Sequence, residues 1–400
     1  MKKVLLITQN FYPESFKSND IAFELANRGY VVDALVGIPN YPQGRYFKGY
    51  GVLRKRFETI NGVSIYRVLQ IPRGKNNKIL LGLNYLSFVF FSTFWILIFS
   101  LIKKYDLIFV HGTSPVTQGI PGVLLKKLTR TPLFFWVLDL WPESLKSAGG
   151  ITNKKIISFF NRIVKLVYNN SDKILISSKS FSESILEKGD YFTKLVYFPN
   201  WAEEIFHGSN KSDIPKIPDG FKIMFAGNIG EAQDFESVLN AALLTKDYSH
   251  IKWIILGDGR KKDWVYDFIK KNSLEETVLL MGRYPIDYMP SFYSYADAML
   301  VSLKDEEIFN LTVPAKTQSY MAASKSIIAM VNGETASLIK EANCGIVANS
   351  GDYKKLAKII LEVSNNKKEF KELGLNGYNY FIEHFTKKKC IDNLCELINN

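Results

Sequence analysis

Residues 4–36 read VLLITQNFYPESFKSNDIAFELANRGYVVDALV, and this stretch decides the fold. The run at 4–8, VLLIT, is short and apolar throughout, as in a strand covered on both faces. NFYPES at 10–15 is loop-like, residues 20–28 form an amphipathic helical pattern stopped by Gly29, and 31–36 is a second apolar strand. Strand, helix and strand in this order make a parallel crossover unit. The rhythm continues through strands at 106–111, 133–138 and 173–176, so residues 1–200 form a Rossmann-like domain.

Residues 199–220 carry prolines near both ends and little periodicity, which marks 201–220 as a linker. Strands at 222–225, 252–256, 277–280, 298–301 and 326–330 then alternate with helices and define a second Rossmann-like domain over 221–385. An amphipathic helix near 386–398 closes the chain within 386–400. The expected fold class is α/β, two doubly wound parallel-sheet domains facing a cleft. Open sheets of this kind take ligands beyond the carboxyl ends of their strands.

The chain of 400 residues has a net charge of +12, and residues 1–130 account for all of it, with 18 Lys and Arg against 6 Asp and Glu. Such a domain expects an anionic partner. Its basic residues lack the patterning of a nucleic-acid binder, so nucleic acid is not expected; an anionic membrane surface or a lipid diphosphate fits better. Cys344, Cys390 and Cys395 show no metal-ligand spacing, and the amino terminus does not read as a secretory signal. Both point to a reduced, cytoplasmic setting.

Among the basic residues lies ILLGLNYLSFVFFSTFWILIFSLI at 79–102, bracketed by Lys78 and by Lys103 with Lys104. It is long enough to cross a bilayer. YDLIFV at 105–110 reads as a buried strand directly after it, which puts the stretch in the position of a crossover helix. That favours a helix lying in or on the inner face of the cytoplasmic membrane; a buried core helix and a transmembrane span remain open.

Three loops are candidates for phosphate contact. Gly227, Asn228, Ile229 and Gly230 follow one strand, and Gly257, Asp258, Gly259 and Arg260 follow the next. Their amides could approach a diphosphate, although plain tight turns explain them equally well. Thr312, Pro314 and Lys316 lie in a loop feeding an apolar-periodic segment, and a helix N-terminus favours anions. An ordinary loop-to-helix junction with a solvated lysine is the alternative.

Seven ordered runs resemble the bacterial family 4 glycosyltransferases of the GT-B fold, in particular those of O-antigen and capsule assembly such as N-acetyl-L-fucosamine transferases. The runs are NFYPE (10–14), GIPNYPQGRY (37–46), HGTSPVTQG (111–119), DLWPES (139–144), FAGNIGEAQ (225–233), LGDGRKKDW (256–264) and TVPAKTQSYMAA (312–323). The resemblance implies a nucleotide-sugar donor, UDP-linked, and a lipid-diphosphate-linked saccharide acceptor, with no cofactor and no metal. It implies transfer with retention, in which an oxygen of the departing phosphate takes the acceptor proton. It assigns donor contacts to the three loops, with Arg283, Tyr284, Val313 and Gln318, and acceptor contacts to Glu14, Tyr41 and Arg45.

By the same resemblance His111 contacts donor sugar or phosphate, and Asp139 and Glu143 contact sugar hydroxyls. A structural histidine and cap or surface carboxylates are the alternatives, as is helix capping for Glu14. Where the wider family carries two glutamates, this chain has Leu311 and Ser319, and Asp234 stands where a cation is usual. The terminal helix is expected to cross back to the first domain. Two other classes remain, a non-catalytic nucleotide-sugar binding protein and a nucleotide-dependent oxidoreductase, the second lacking a Gly-x-Gly-x-x-Gly after its first strand.

Overall fold

The computed structural model describes residues 1–75, 77–145, 150–207 and 212–400. The chain divides into two compact units, Met1–Phe198 with Ile391–Asn400, and Pro199–Cys390.

The first unit is built on β1 (Lys3–Thr8), β2 (Val31–Val36), β3 (Phe57–Ile60), β4 (Val63–Arg67), β5 (Leu107–Gly112), β6 (Leu133–Val137), β7 (Lys173–Ile176) and β8 (Leu195–Tyr197). Their order in the sheet is β3-β4-β2-β1-β5-β6-β7-β8. All six residues of β5 are buried, as a central strand covered on both faces requires. The sheet departs from the expected all-parallel pattern at one edge, where β3 and β4 pair antiparallel. Asn61 and Gly62 both have left-handed φ, +48° and +78°, which is the two-residue turn that matches strand twist in a hairpin.

The 79–102 stretch forms the helix Lys78–Ile102, capped by the Asn77 side chain on the amides of Ile79 and Leu80. It returns from β4 to β5, as expected for a crossover. Asn84, Ser87 and Ser92 lie on its buried face beside Phe88, Ile96 and Phe99, whereas Leu86, Phe90, Phe94 and Leu101 are exposed, Phe90 to 69%. Residues 391–400 belong to the first unit, held by an ion pair of Arg28 with Asp392 at 2.5 Å and by Lys2 Nζ donating to the Ile398 carbonyl.

The second unit has six parallel strands, β9 (Phe221–Asn228), β10 (Ile251–Asp258), β11 (Val278–Gly282), β12 (Ala298–Ser302), β13 (Ile327–Met330) and β14 (Gly345–Ala348), in the order β11-β10-β9-β12-β13-β14. Each face of this sheet has its own core. Phe221, Ile223 and Phe225 of β9 enter one, and Met224 and Ala226 enter the other, by the alternation of strand side chains. The segment expected to be a linker contributes Ala202, Phe206 and Ile217 to the second core, so these residues pack rather than tether; 208–211 lie outside the described residues.

Arg67, at the end of β4, is almost fully buried. It pairs with Glu58 of β3 at 2.5 Å and donates to the carbonyls of Lys55 (3.0 Å) and Tyr12 (2.9 Å). It thereby ties the edge hairpin to the NFYPE loop. Arg67→Met should lower the unfolding free energy by about 2–4 kcal/mol in urea melts, because it strands Glu58 and two carbonyls. A loss below about 0.5 kcal/mol would show that the tie is not structural.

Candidate functional site

The second unit holds a cavity of about 830 Å³ at the carboxyl ends of β9, β10 and β11. The loops after β9 and β10 run side by side, Gly257 opposite Gly227 and Asp258 opposite Asn228. A Cβ on Gly257 would fall 1.8 Å from the Gly227 carbonyl oxygen, and one on Gly259 would fall 2.3 Å from that of Ile229, both at left-handed φ. These two glycines therefore let the loops touch each other. Gly227 differs. A Cβ there would lie 3.1 Å from Nζ of Lys316, so the missing side chain leaves room beside a lysine.

Lys316 is the second residue of the helix Ala315–Ala322, which starts after Pro314. Its Nζ is buried, lies 3.7 Å from the centroid of the Phe225 ring, and has no hydrogen-bond partner among the described residues. Burial lowers its pKa to about 7. An ammonium held against an aromatic face gains some cation–π energy, but its hydrogen-bonding capacity goes unused, and leaving it so costs several times that of a neutral group. An anion in the cavity would supply what is missing, and the helix N-terminus adds to the favourable potential.

Of the donor-side residues expected from sequence, Gly227, Asn228, Gly257, Asp258, Arg283, Tyr284 and Lys316 line this cavity. The others lie outside its lining, each for a local reason. Ile229 is a core residue, the Gly230 amide donates to Gln233, and Gly259 packs on the neighbouring loop. Arg260 is exposed beyond the lining. The Thr312 hydroxyl donates to the Phe309 carbonyl and its own carbonyl accepts from Thr335, Val313 packs on the core, and Pro314 caps the helix. Gln318 is buried, its amide nitrogen oriented to donate to the Pro314 and Ala315 carbonyls.

Sequence reading missed Glu203, Phe206, Met289 and Tyr293, which also line the cavity, as does Ser319, the residue standing where the wider family carries a glutamate. Glu203 and Phe206 come from the supposed linker, where nothing periodic announces a wall. Phe206 stacks on Tyr293 at 5.4 Å and 7°, and Tyr293 meets Tyr320 edge-on at 5.5 Å. Asp234, at the place of an expected cation, has left-handed φ (+46°) before the helix Phe235–Leu244.

In the first unit, His111 is fully buried on β5, its Nδ1 3.3 Å from the Thr8 hydroxyl and its ring edge-on to Trp136. Burial lowers its pKa to about 3, so it is neutral, and Nε2 has no hydrogen-bond partner among the described residues. Asp139 is exposed and accepts from the Ser114 amide (3.1 Å) and hydroxyl (2.8 Å). Glu143 is bound at Oε1 by Lys188 (2.6 Å) and Ser184 (3.2 Å), while its Oε2 has no hydrogen-bond partner among the described residues.

Glu14 does not cap a helix. It is buried, and Oε1 accepts from the amides of Asn40 (2.7 Å) and Tyr41 (2.6 Å), while burial raises its pKa to about 7. Tyr41 sits between the Phe16 ring and the Arg73 guanidinium, and Arg45 is exposed nearby in sequence. Asn40 Oδ1 in turn accepts from the Arg73 amide and from Asn84 Nδ2, and Asn84 accepts from Gln9 at 2.6 Å. The loops after β1, β2 and β4 are thus joined by one polar network to the apolar helix.

Known proteins agree with this architecture. Residues 18–201 match the glycosyl transferase 4-like domain, and residues 209–380 match the glycosyl transferases group 1 domain. The chain is 28% identical to a probable glycosyltransferase, WbjE of Pseudomonas aeruginosa, over 74% of each chain. It is 25% identical to WcaI of Escherichia coli, a putative colanic acid biosynthesis glycosyl transferase, over 82% of each. Sucrose-phosphate synthase of Thermosynechococcus elongatus superposes with a TM-score of 0.76 at 14% identity, covering 100% of this chain and 98% of that one. HepE of Anabaena, solved in complex with UDP and glucose, superposes at 0.68 with 13% identity over the whole of both chains. The chain thus carries a glycosyl transferase 4-like domain followed by a glycosyl transferases group 1 domain, on a GT-B fold.

Proposed function

We propose that the protein transfers a sugar, with retention, from a UDP-linked donor held in the second unit to a lipid-diphosphate-linked saccharide during bacterial surface polysaccharide synthesis. An amino sugar such as N-acetyl-L-fucosamine is the proposed cargo. The observation that carries this reading is the buried Lys316 ammonium, without a hydrogen-bond partner among the described residues, beside a cavity floored by Gly227. The names of WbjE and WcaI and the UDP bound to HepE support it.

In the proposed reaction Lys316, Arg283 and the N-terminus of the helix Ala315–Ala322 stabilise the charge that grows on the departing diphosphate. A diphosphate oxygen takes the acceptor proton, so no protein nucleophile is needed. The rate then comes from holding the reactants together. His111, neutral and with Nε2 open, is proposed to contact the sugar-phosphate linkage, with Asp139 and Glu143 as weaker candidates for sugar hydroxyls. Glu14, Tyr41 and Arg45 remain the proposed acceptor side. His111→Ala should cut turnover at least tenfold while UDP affinity stays within twofold; wild-type turnover would remove the residue from the reaction.

Binding an anion requires Lys316 to be charged, yet unliganded its pKa is about 7. Affinity for UDP should therefore weaken as pH rises above 7, approaching tenfold per pH unit, with proton uptake on binding. Lys316→Met should weaken UDP about 10- to 100-fold at pH 7 and flatten the pH dependence. The sign is opposite for the empty protein. Because folding lowers this pKa from 10.5, the unfolded chain binds the extra proton between pH 7 and 10.5, so the folded state is penalised below that window. Lys316→Met should then raise the Tm of the nucleotide-free protein at pH 7. Unchanged UDP affinity with an unchanged Tm would contradict the assignment.

Attachment to an anionic membrane is the second part of the proposal. The helix Lys78–Ile102 presents apolar side chains outward, and the +12 charge of residues 1–130 supplies attraction of roughly 1 kcal/mol per basic residue near the surface. The helix Lys154–Asn170 adds Lys154, Lys155, Arg162 and Lys165, with Phe159 57% exposed. Flotation with phosphatidylglycerol vesicles should be strong at low salt. Replacing Phe90 and Phe94 by serine should reduce it at least tenfold without altering UDP affinity. Indifference to vesicles at low ionic strength would mean that the helix serves packing alone.

A further inference from the structure

We infer that Glu203 is the residue that recognises the ribose of the donor nucleotide. The inference rests on the nucleotide reading of the cavity and adds a specificity-determining residue to it. Among the described residues two carboxylates line the cavity, Asp258 and Glu203. Asp258 is committed to its own loop: Oδ1 accepts from the Gly259 amide at 2.9 Å and lies 3.8 Å from Lys262 Nζ. It also stands opposite Asn228 in the paired loops beside Lys316, where a diphosphate would repel it.

Glu203 is placed differently. It lies between two core residues, Ala202 (2% exposed) and Phe206 (8%), which fix the backbone on either side while the glutamate itself stays accessible. Phe206 is clamped by its stack on Tyr293. The short helix Glu204–His207 packs against the helix Ala315–Ala322, the one that carries Lys316 and Ser319. Ser319 also lines the cavity, but its hydroxyl donates back to the Ala315 carbonyl at 3.3 Å, so this helix offers no acid there. A carboxylate has two acceptor oxygens, and the vicinal hydroxyls of a ribose are two donors. Glu203 is the lining group whose chemistry matches that diol.

The test is the affinity of UDP and 2′-deoxy-UDP for the full-length wild type, Glu203→Ala, Glu203→Gln and Lys316→Met. Wild type should prefer UDP by about tenfold, the value of one charge-assisted hydrogen bond. Glu203→Ala should weaken UDP by about a hundredfold, two such bonds, and 2′-deoxy-UDP, which keeps its 3′-hydroxyl, by about tenfold, so that the preference disappears. Glu203→Gln, which keeps one acceptor, should retain part of it, and Lys316→Met should weaken both nucleotides alike. A wild type that does not distinguish the two, or a preference that survives in Glu203→Ala, overturns the inference while leaving the nucleotide site intact. If wild type binds none of UDP, GDP, ADP or dTDP, the nucleotide reading itself fails, and the inference with it.

Discussion

A lysine nitrogen buried against a phenyl ring, with its hydrogen bonds unmade among the described residues, is the constraint on which the second unit depends. Such a group is costly to hold, and the surrounding structure holds it deliberately. Pro314 starts the helix just ahead of it, Gly227 leaves out the side chain that would crowd it, and Gly257 lets the next loop close on Gly227. Together they build a cavity whose unmet need is an anion, on the strand ends where a doubly wound sheet takes its ligands.

The first unit meets a different demand with polar rather than cationic chemistry. Buried Glu14, Asn40, Gln9 and Asn84 would be a liability in an apolar core, yet they bond mainly to one another and to loop amides. Through Asn84 the network reaches into the helix Lys78–Ile102. The helix can keep its apolar side outward because its few polar side chains find partners inside. Seating of that helix and the shape of the loops after β1, β2 and β4 are therefore physically linked.

Much of this was legible in the sequence, and what was not has physical causes. Buried parallel strands such as 4–8 and 31–36 announce themselves by continuous apolar runs. The edge hairpin was overlooked although Asn61-Gly62 is a strong turn signal, because FETI and VSIYR alternate with polar residues and carry no long apolar run. Lys316 was legible as a cation near a helix start. That its nitrogen is buried depends on Phe225 and Gly227, some ninety residues away, and no local pattern reports such a contact. Arg260 is the converse case: a cation next to a glycine turn looks like a phosphate ligand, and the structure places it exposed beyond the lining of the cavity. Glu203 and Phe206 were hidden because proline-rich, aperiodic sequence reads as a tether, whereas isolated apolar residues at 202, 206 and 217 suffice to fix it.

The account turns on where a nucleoside diphosphate meets the protein, and a crystal structure with UDP bound measures that directly. It should show a diphosphate oxygen about 2.7–3.2 Å from Lys316 Nζ, with the nucleoside running along the wall formed by Tyr284 and Phe206. A UDP molecule seated elsewhere, or one in this cavity that leaves the Lys316 nitrogen without an oxygen partner, would contradict it.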